Sequence, residues 1–296
     1  MSAERLLREL GGAARYAELL RAGLSRGQLL RAMKQGTVTR VHHGTYALAE
    51  AVVAAKHSAT FRATTTCLSR CAKLDLPLLA SPTQTHLWVP RSRSASRDSG
   101  RPVQDVVLHR LDSVDEQYAG TVVGALDIAG LCTPLREHVA LIDAAMRRAQ
   151  VQRADLANFR ASPRPRSAQL LELADLRAES FIESLARVDL RLAGLAVEPQ
   201  VRIPGVGHLD LLVEGIVGLE TDGDAFHSSR SQTRNDKKRD RTLAIRGLVP
   251  VRVTYEDVVG SMEEVVKDVV AILWRRGWTP KSPAHHDALR HAGFLA

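Results

Sequence analysis

Apolar residues at helical spacing divide the first 49 residues into three predicted helices, each ending at a glycine. The apolar faces of these helices are marked by Leu6, Leu7 and Leu10, by Tyr16, Leu19 and Leu20, and by Leu29, Leu30 and Met33. Ser25 precedes the third helix, and its hydroxyl can accept a hydrogen bond from the free N–H groups of the first turn. Two short stretches rich in β-branched residues then flank Gly44 and predict a hairpin.

Three helices followed by a hairpin are the order of elements in a winged helix-turn-helix, which we predict for residues 1–49. The solvent side of the third helix would present Arg26, Arg31 and Lys34, and the hairpin would add Arg40. Basic side chains at these positions suit contacts with DNA phosphates. A solvated basic face that docks another protein has the same pattern, so the residues alone leave that alternative open.

Residues 50–160 alternate short strands with helices and predict an α/β domain. Thr85–Val89 and Val106–His109 are predicted strands, and Val139–Ala149 is a predicted amphipathic helix. The histidines of this domain are scattered along the sequence, so we expect them to be structural or exposed rather than catalytic. Residues 161–178 begin with alternating proline, arginine and serine, and predict a linker and a lead-in helix.

Residues 179–278 predict a third domain with the order helix, three strands, helix, strand and helix. Its clearest elements are a helix at Ser180–Gly194, with Ile182, Leu185, Leu190 and Leu192 as core candidates, strands at Val197–Ile203 and Val249–Thr254, and a helix at Asp257–Arg275. We therefore assign the chain to the α/β (α+β) class, with a mixed central sheet flanked by helices in this domain. Residues 279–296 are expected to form a solvated, marginally ordered tail.

Acidic residues interrupt the two apolar strands in the middle of the third domain. Asp210 lies in the first strand, and Glu220 and Asp222 lie in the second. Burying an acid alone among apolar residues is costly, and a bound divalent cation would compensate that cost. Because strand side chains alternate between faces, Glu220 and Asp222 share one face of the sheet.

The length of the loop between these strands decides whether all the acids meet. A three-residue loop pairs Val213 with Val217 and sets Asp210 opposite Glu220, whereas a two-residue loop places Asp210 on the other face. We predict the three-residue loop, with Gly215 supplying the positive φ of a bulged turn.

Gathered acids of this kind predict a site for Mg²⁺ or Mn²⁺. Mg²⁺ prefers one or two carboxylates together with substrate oxygens and water, and Asp210 and Glu220 fit that count. At a phosphodiester the ion neutralises developing charge and lowers the pKa of a bound water. His227, just past the second strand, could pass a proton to or from that water, with Asp236 or Asp240 orienting its ring.

Further candidate site residues lie on the predicted helices before and after these strands. Arg239, Lys237 and Lys238 could hold the phosphate. For Asp236 and Asp240, pairing with the neighbouring basic residues on the helix surface is an equally good explanation. Ser180 and Glu183 have the spacing of a capping box. Glu183 could also project from the start of its helix onto the acidic strands, and the two roles are compatible.

Charge and cysteine content narrow the choice of partner and compartment. A net charge of +8 and a pI of about 9.8 favour an anionic partner, most simply nucleic acid. Cys67, Cys71 and Cys132 are odd in number and scattered, which indicates a reducing compartment. Cys67 and Cys71 lack a second ligand pair nearby in the sequence, so a zinc site is not expected. Without a signal-peptide pattern or a membrane-length apolar run, we expect a cytoplasmic protein with no membrane partner.

The stretch AELLRAGLSRGQLLRAMKQGTVTRVHHGTYAL resembles the N-terminal winged-helix domain of type IV abortive-infection antitoxins. Residues 50–160 are similar to the second domain of the same antitoxins. This resemblance implies DNA binding, usually at a promoter.

The later segments HLDLLV, GLETDGDAFHSS and GLVPVRVTYEDV, in that order, resemble the very-short-patch-repair-like branch of the PD-(D/E)XK nuclease superfamily. The resemblance covers roughly residues 178–275. It implies that Asp210 is the first acidic metal ligand, that Glu220 takes the position of a second acid, and that the main-chain carbonyl of Thr221 binds the metal.

The same resemblance gives counterparts for Asp222 and His227, and it shows one difference from the superfamily motif. Asp222 stands where the repair enzymes have a histidine, and His227 matches their second histidine, which is implicated in proton transfer. Glu-Thr-Asp replaces the usual Glu-x-Lys of the superfamily, so no lysine is present to activate water, and His227 becomes the more important residue.

From these patterns we predict a metal-dependent endonuclease that hydrolyses DNA phosphodiester bonds and carries a DNA-binding N-terminal region. One copy holds one site and would nick a single strand, whereas a homodimer would permit a double-strand cut. Two alternatives stay open: a non-catalytic DNA-binding regulator of the antitoxin type, and an RNA-directed nuclease, because nothing in the residues separates the two sugars.

Overall fold

The computed structural model describes residues 2–92, 103–222 and 230–294, with side chains from residue 238 onward in the last range. The chain divides into two compact units. The first consists of Met1–Thr133 and Ala154–Ser167, and the second of Pro134–Arg153 and Ala168–Ala296. The α+β class is confirmed, since helices and three small sheets share the described residues.

The first 49 residues form the predicted three helices and hairpin, with one additional strand. The elements are α1 (Ala3–Glu9), β1 (Ala13–Arg15), α2 (Tyr16–Arg21), α3 (Arg26–Lys34), β2 (Val38–His42) and β3 (Thr45–Leu48). The three strands form an antiparallel sheet in the order β1-β3-β2. Strand β1 is too short to leave a sequence pattern, and it pairs with β3 to complete the wing.

Local capping and periodicity explain where α3 lies. The Ser25 hydroxyl accepts a hydrogen bond from Gln28 N at 3.2 Å, and the Gln28 side chain accepts one from Ser25 N at 2.8 Å, so a full capping box starts the helix. Leu29 is buried, but Leu30 is 53% exposed, so its expected place inside the helix packing was wrong. Adjacent helical residues are about 100° apart around the axis, which turns Leu30 away from the core that Leu29 enters.

The remainder of the first unit is a small α/β layer. Its elements are α4 (Val53–Phe61), β4 (Thr64–Thr65), α5 (Cys67–Lys73), β5 (Thr85–Trp88), β6 (Val106–His109), α6 (Glu116–Ala119) and α7 (Val122–Ala129). The predicted strands at residues 85–89 and 106–109 are confirmed, and they pair in parallel in a sheet of order β4-β5-β6.

The second unit contains a four-stranded mixed sheet with helices around it. Its elements are α8 (Leu135–Arg147), α9 (Arg164–Leu173, which begins in the first unit), α10 (Phe181–Leu192), β7 (Val197–Ile203), β8 (Gly207–Val213), β9 (Val217–Asp222), α11 (Arg230–Ile245), β10 (Val249–Thr254), α12 (Tyr255–Gly260), α13 (Met262–Arg275) and α14 (Pro283–His291). The order is β10-β9-β8-β7, with β10 and β9 parallel and the other pairs antiparallel. The predicted order of helix, three strands, helix, strand and helix is confirmed.

Three expectations for the second unit were wrong in detail. The single helix predicted at Asp257–Arg275 is two helices, because Ser261 leaves the helical conformation with φ −140° and ψ 27°. The expected solvated tail forms α14, and its Leu289 is buried. Leu192 is 53% exposed rather than in the core, because it is the last residue of α10.

A buried ion pair fixes α8 to α10 inside the second unit. The Asp143 and Arg187 side chains are fully buried, and Arg187 Nη2 lies 2.6 Å from Asp143 Oδ2. Arg187 Nη1 donates to the Leu173 carbonyl at 2.6 Å, and Asp175 N donates to Asp143 Oδ1 at 2.8 Å. A charge this deep in apolar surroundings needs such partners.

Within the described ranges, no helix has both the length and the apolar character needed to cross a lipid bilayer.

Candidate functional site

The loop between β8 and β9 has the predicted three-residue geometry. Val213 pairs with Val217, and Leu211 pairs with Leu219. Gly215 has a φ of 68°, so the expected positive φ is confirmed, and Glu214 next to it also has a left-handed φ of 49°. The next residues after the last paired position on the two strands are Asp210 and Glu220. The register therefore brings these two acids to the same end of the hairpin.

Asp210 is fixed by the residue that follows Glu220. Its Oδ2 accepts a hydrogen bond from the backbone N–H of Thr221 at 2.8 Å and another from the Thr221 hydroxyl at 3.1 Å. The regular pairing of β8 with β9 ends one residue before this contact. The side chain of Asp210 thus takes the place of a ladder hydrogen bond, which holds its carboxylate beside the main chain of β9.

Glu183 approaches the same acids from the start of α10. Ser180 Oγ accepts a hydrogen bond from Glu183 N at 3.1 Å, which is the first half of the predicted capping box; the second half is absent, because the Glu183 carboxylate bonds to Glu179 N rather than to Ser180 N. The Glu183 carboxylate accepts from Glu179 N and from Gln200 Nε2, each at 2.9 Å. Burial raises the pKa of Glu183, and the nearby charge of Asp210 raises it further, while the two hydrogen bonds oppose the rise. The cap and the approach to the acidic strands therefore coexist.

Glu220 is the most strongly compensated acid of the group. Arg252 lies opposite it on β10, with Nη2 3.1 Å from Glu220 Oε2, and the Arg239 guanidinium from α11 contacts Oε1. Burial raises the pKa of Glu220; Arg239 and Arg252 lower it, and Asp210 raises it. The Arg239 contact lacks hydrogen-bond alignment, so Oε1 is a buried carboxylate oxygen without a hydrogen-bond partner among the described residues.

Arg252 links Glu220 to two further acids, and the sequence analysis did not identify it. Its Nη1 lies 3.2 Å from Asp222 Oδ1, and its Nη2 lies 3.1 Å from Asp240 Oδ1. Contact with one guanidinium confirms that Glu220 and Asp222 share a face. An arginine inside the apolar strand VPVRVT was the available signal, because a buried charge in a strand requires opposite charges nearby.

Gln200 is a second residue that the sequence analysis missed. It lies on β7 between Pro199, which pairs with Leu211, and Val201, which pairs with Leu209. That position faces Asp210, and Gln200 holds a left-handed φ of 54° there. A polar residue between the buried Pro199 and the half-buried Val201 was a weak signal, since the backbone distortion cannot be inferred from composition.

Some of the other predicted site residues lie outside the described part of the chain, and the rest are exposed or bonded to other protein groups. His227 lies outside the described residues, and the side chains of Asp236 and Lys237 also lie outside them. Lys238 is exposed. Arg239 contacts the His208 carbonyl in addition to Glu220, so its guanidinium is already engaged by protein atoms.

Carboxylate oxygens are the ligands that a small divalent cation such as Mg²⁺ prefers. No group of three acids among the described residues brings one oxygen from each within 4.8 Å of the others. Asp210 and Glu220, which follow the last paired residues of β8 and β9, are the two predicted ligands that the strand register brings to one end of the hairpin. Glu220 Oε1 forms an ion pair with Arg239 but has no well-aligned hydrogen bond among the described residues, so it would have to leave that pair to bind Mg²⁺.

The winged-helix region carries a second candidate surface. Arg26, Arg31 and Lys34 on α3 and Arg40 on β2 are all exposed. None of the four forms an ion pair with a described residue, whereas Arg5 and Arg8 on α1 pair with acids. The predicted positions are thus confirmed as an exposed basic face, which we call the α3 face.

Comparison with known families supports an antitoxin-like N-terminal region. Residues 1–49 match a family model described as transcriptional regulator, AbiEi antitoxin. The match covers the three helices and the wing and ends at the boundary predicted from the sequence. No curated protein matches the chain.

Proposed function

We propose that this protein is a DNA-binding regulator of the antitoxin type that contacts duplex DNA through the α3 face. The observation that carries the proposal is four exposed basic side chains without ion-pair partners among the described residues, on the helix and wing of a region similar to AbiEi transcriptional regulators. Phosphates exchange their counterions for such free cations, and this exchange drives binding. The net charge of +8 acts in the same direction.

Fluorescence anisotropy of a labelled duplex, titrated with the full chain at several salt concentrations, tests this proposal. We expect the logarithm of the binding constant to fall linearly with the logarithm of salt concentration, with a slope of about 0.9 per phosphate contact. A variant combining Arg31→Ala and Lys34→Ala should bind more weakly and with a shallower slope.

The matched control is Arg8→Ala, which removes an exposed arginine from α1 that already pairs with Glu50. It should leave both affinity and slope unchanged. Equal losses from the control and from the α3 variant would show that net charge alone drives binding, and would contradict the assignment of the α3 face.

A second candidate function is supported by a separate observation in the second unit. Asp210 and Glu220 lie at the same end of the β8–β9 hairpin, and the charge of Asp210 contributes to the raised pKa values of Glu183 and Glu220. Repulsive acids gathered in a protein of net positive charge favour a cation that a mere DNA-binding surface would not require. We therefore propose a metal-dependent hydrolysis of nucleic-acid phosphodiester bonds at this site.

In this proposal Asp210, Glu220 and the Thr221 carbonyl hold Mg²⁺ or Mn²⁺. The bound ion supplies charge neutralisation at the phosphate and a more acidic water. Thr221 orients the Asp210 carboxylate through its N–H and hydroxyl. If Glu220 took a cation as a ligand, the Arg239 guanidinium that pairs with it in this structure could turn to a phosphate oxygen. His227 is assigned the proton transfer that the sequence predicts.

Supercoiled plasmid, single-stranded DNA and single-stranded RNA, each incubated with Mg²⁺, Mn²⁺ or a chelator, test this second function. We expect nicked circles that need the metal and disappear in Asp210→Asn and Glu220→Gln. Both variants remove charge while keeping a carbonyl oxygen in place. Cleavage confined to RNA would replace the DNA assignment with the RNA-directed alternative.

The control for the cleavage assay is Glu264→Gln, which removes an exposed acid from α13 at the surface of the same unit. It should cut as fast as the unchanged protein. Cleavage that persists in both Asp210→Asn and Glu220→Gln would contradict the assignment of these acids to the active site. Absence of cleavage with every substrate, together with retained salt-dependent binding, would leave the DNA-binding regulator as the function.

A further inference from the structure

Two cysteines and two histidines that are far apart in sequence meet in the first unit. The sulfur atoms of Cys67 and Cys132 and one ring nitrogen from each of His86 and His109 all lie within 4.8 Å of one another. Neither proposed function uses any of these residues. We refer to these four residues as the Cys/His cluster.

Strand register and helix placement bring the four side chains together. Cys67 opens α5 directly after β4, and Cys132 follows α7. His109 pairs with Trp88 across the parallel strands, and His86 is two residues before Trp88, so both histidines project from the same face of the sheet. Their rings lie 5.5 Å apart between centroids with an interplanar angle of 27°.

Two of the six distances between ligand atoms are close to the edges of a zinc tetrahedron, and the others are within 4.8 Å. Zn²⁺ sits about 2.0–2.1 Å from nitrogen and about 2.3 Å from sulfur, so tetrahedral ligands are separated by about 3.3 Å between two nitrogens and about 3.6 Å between nitrogen and sulfur. In the Cys/His cluster, His86 Nδ1 lies 3.2 Å from His109 Nε2, and Cys132 Sγ lies 3.9 Å from the same His109 nitrogen.

The surroundings of the cluster suit a bound ion with an entry route. Cys67, His86 and His109 are buried, whereas Cys132 is exposed. Three ligands held in the interior and one at the surface allow a metal to enter without unfolding the unit. Cys67 also has a φ of 52°, a left-handed conformation that is costly for a residue other than glycine.

The acid–base properties of the two thiols agree with this geometry. Hydrogen bonding from Cys67 and from the two histidine rings lowers the pKa of Cys132 to about 3, although burial acts in the opposite direction. Burial raises the pKa of Cys67, and the hydrogen bond to Cys132 raises it further.

We propose that Cys67, His86, His109 and Cys132 bind one zinc ion. Four protein ligands leave no open coordination position, so the site is structural rather than catalytic. It joins α5, the parallel strands β5 and β6, and the turn after α7. Because the ligands come from four separate elements, the ion would stabilise the packing of the whole α/β layer rather than one loop.

Elemental analysis of the full chain, purified without a polyhistidine tag, tests the proposal directly. We expect close to one zinc per chain and no stoichiometric iron, copper or nickel. Removal of zinc by a strong chelator should lower the melting temperature, and zinc should restore it. Cobalt(II) added to the metal-free chain should give the intense visible bands of a four-coordinate site and the charge-transfer bands of bound thiolate.

Matched substitutions separate this site from zinc bound elsewhere. Cys132→Ser and His109→Asn should lose the zinc and the cobalt spectrum. Cys71→Ser and His57→Asn are the controls, because both residues are buried in the same unit and neither belongs to the Cys/His cluster. Both controls should keep the zinc at the level of the unchanged chain.

Three outcomes would overturn the proposal. The first is a folded chain that carries no stoichiometric metal and gives no cobalt thiolate bands. The second is zinc that stays at full occupancy in both Cys132→Ser and His109→Asn. The third is stoichiometric iron with sulfide, which would replace zinc by an iron–sulfur cluster. Circular dichroism of each variant shows whether the chain is folded, so a loss of zinc through unfolding is recognised as such.

Discussion

Charges in the winged-helix region and charges in the second unit are arranged in opposite ways. On the α3 face, Arg31 and Lys34 are exposed and have no ion-pair partner among the described residues. In the second unit, Glu220 is buried between two guanidiniums, and Asp143 is completely buried against Arg187. The first arrangement is open to any polyanion, whereas the second is fixed by the fold.

This difference indicates where stability and function depend on charge. A free surface cation contributes little to folding and is available for binding. A buried ion pair adds little net stability of its own, but removing one partner is strongly destabilising because the other charge is left buried and uncompensated. We therefore expect substitutions in the second unit to alter stability, and substitutions on the α3 face to alter affinity alone.

The largest effect on the free energy of unfolding is expected at the fully buried ion pair of Asp143 and Arg187. Arg187→Met leaves the Asp143 carboxylate buried without its countercharge, and should lower the free energy of unfolding by about 3–5 kcal/mol. Urea denaturation followed by circular dichroism measures the change. The double variant Arg187→Met with Asp143→Leu should recover much of the loss, because an apolar pair of similar volume carries no desolvation penalty. A loss below about 1 kcal/mol for the single variant would contradict the comparison.

A smaller, pH-dependent effect is expected at Asp189. Arg136 lies 2.8 Å away, but burial is the larger influence and raises the pKa of Asp189 to about 6. A folded-state pKa above the unfolded value of about 3.9 means that the native state binds the extra proton, so this contribution is fully present below that pH and is lost as pH rises through about 6.

Asp189→Asn should remove this part of the pH dependence. In the unchanged chain the loss between about pH 4 and pH 6 should be on the order of 1–3 kcal/mol. Unfolding free energies measured across that interval should be flatter for the Asn variant. Parallel curves for the two proteins would show that Arg136 compensates the charge fully.

The smallest effect on stability is expected on the α3 face. Arg31→Ala and Lys34→Ala should each change the free energy of unfolding by no more than about 0.5 kcal/mol. Each should nevertheless reduce the salt slope of DNA binding by about 1, because each removes one phosphate contact. A destabilised Arg31→Ala variant would show that the two regions do not differ in the way proposed.

Features set by neighbouring residues could be predicted from the sequence. The N-cap at Ser25, the three-residue loop with Gly215, and the strand Val197–Ile203 follow from capping, turn chemistry and periodicity, and all are confirmed. The break at Ser261 was missed because apolar spacing continues through α12 and α13 without interruption. Periodicity records which face is buried, and two consecutive helices can bury the same face.

Features set by distant residues could not be predicted in the same way. Arg252 meets Glu220 only because β10 joins β9 in parallel, and the sequence does not state that pairing. The Cys/His cluster was missed because spacing along the chain was taken as the criterion for a zinc site, whereas its ligands come from four elements. The histidine before Trp88 and the histidine opposite it become neighbours through sheet register alone.

The loop at residues 214–216 limits which sequence changes the protein can accept during evolution. Residues of the loop can be exchanged as long as two of them accept left-handed backbone angles. Loss or gain of one residue would shift the register of β8 and turn every side chain of that strand to the opposite face, Asp210 included. Related chains that share the acid site should therefore vary in the identity of these three residues and keep their number.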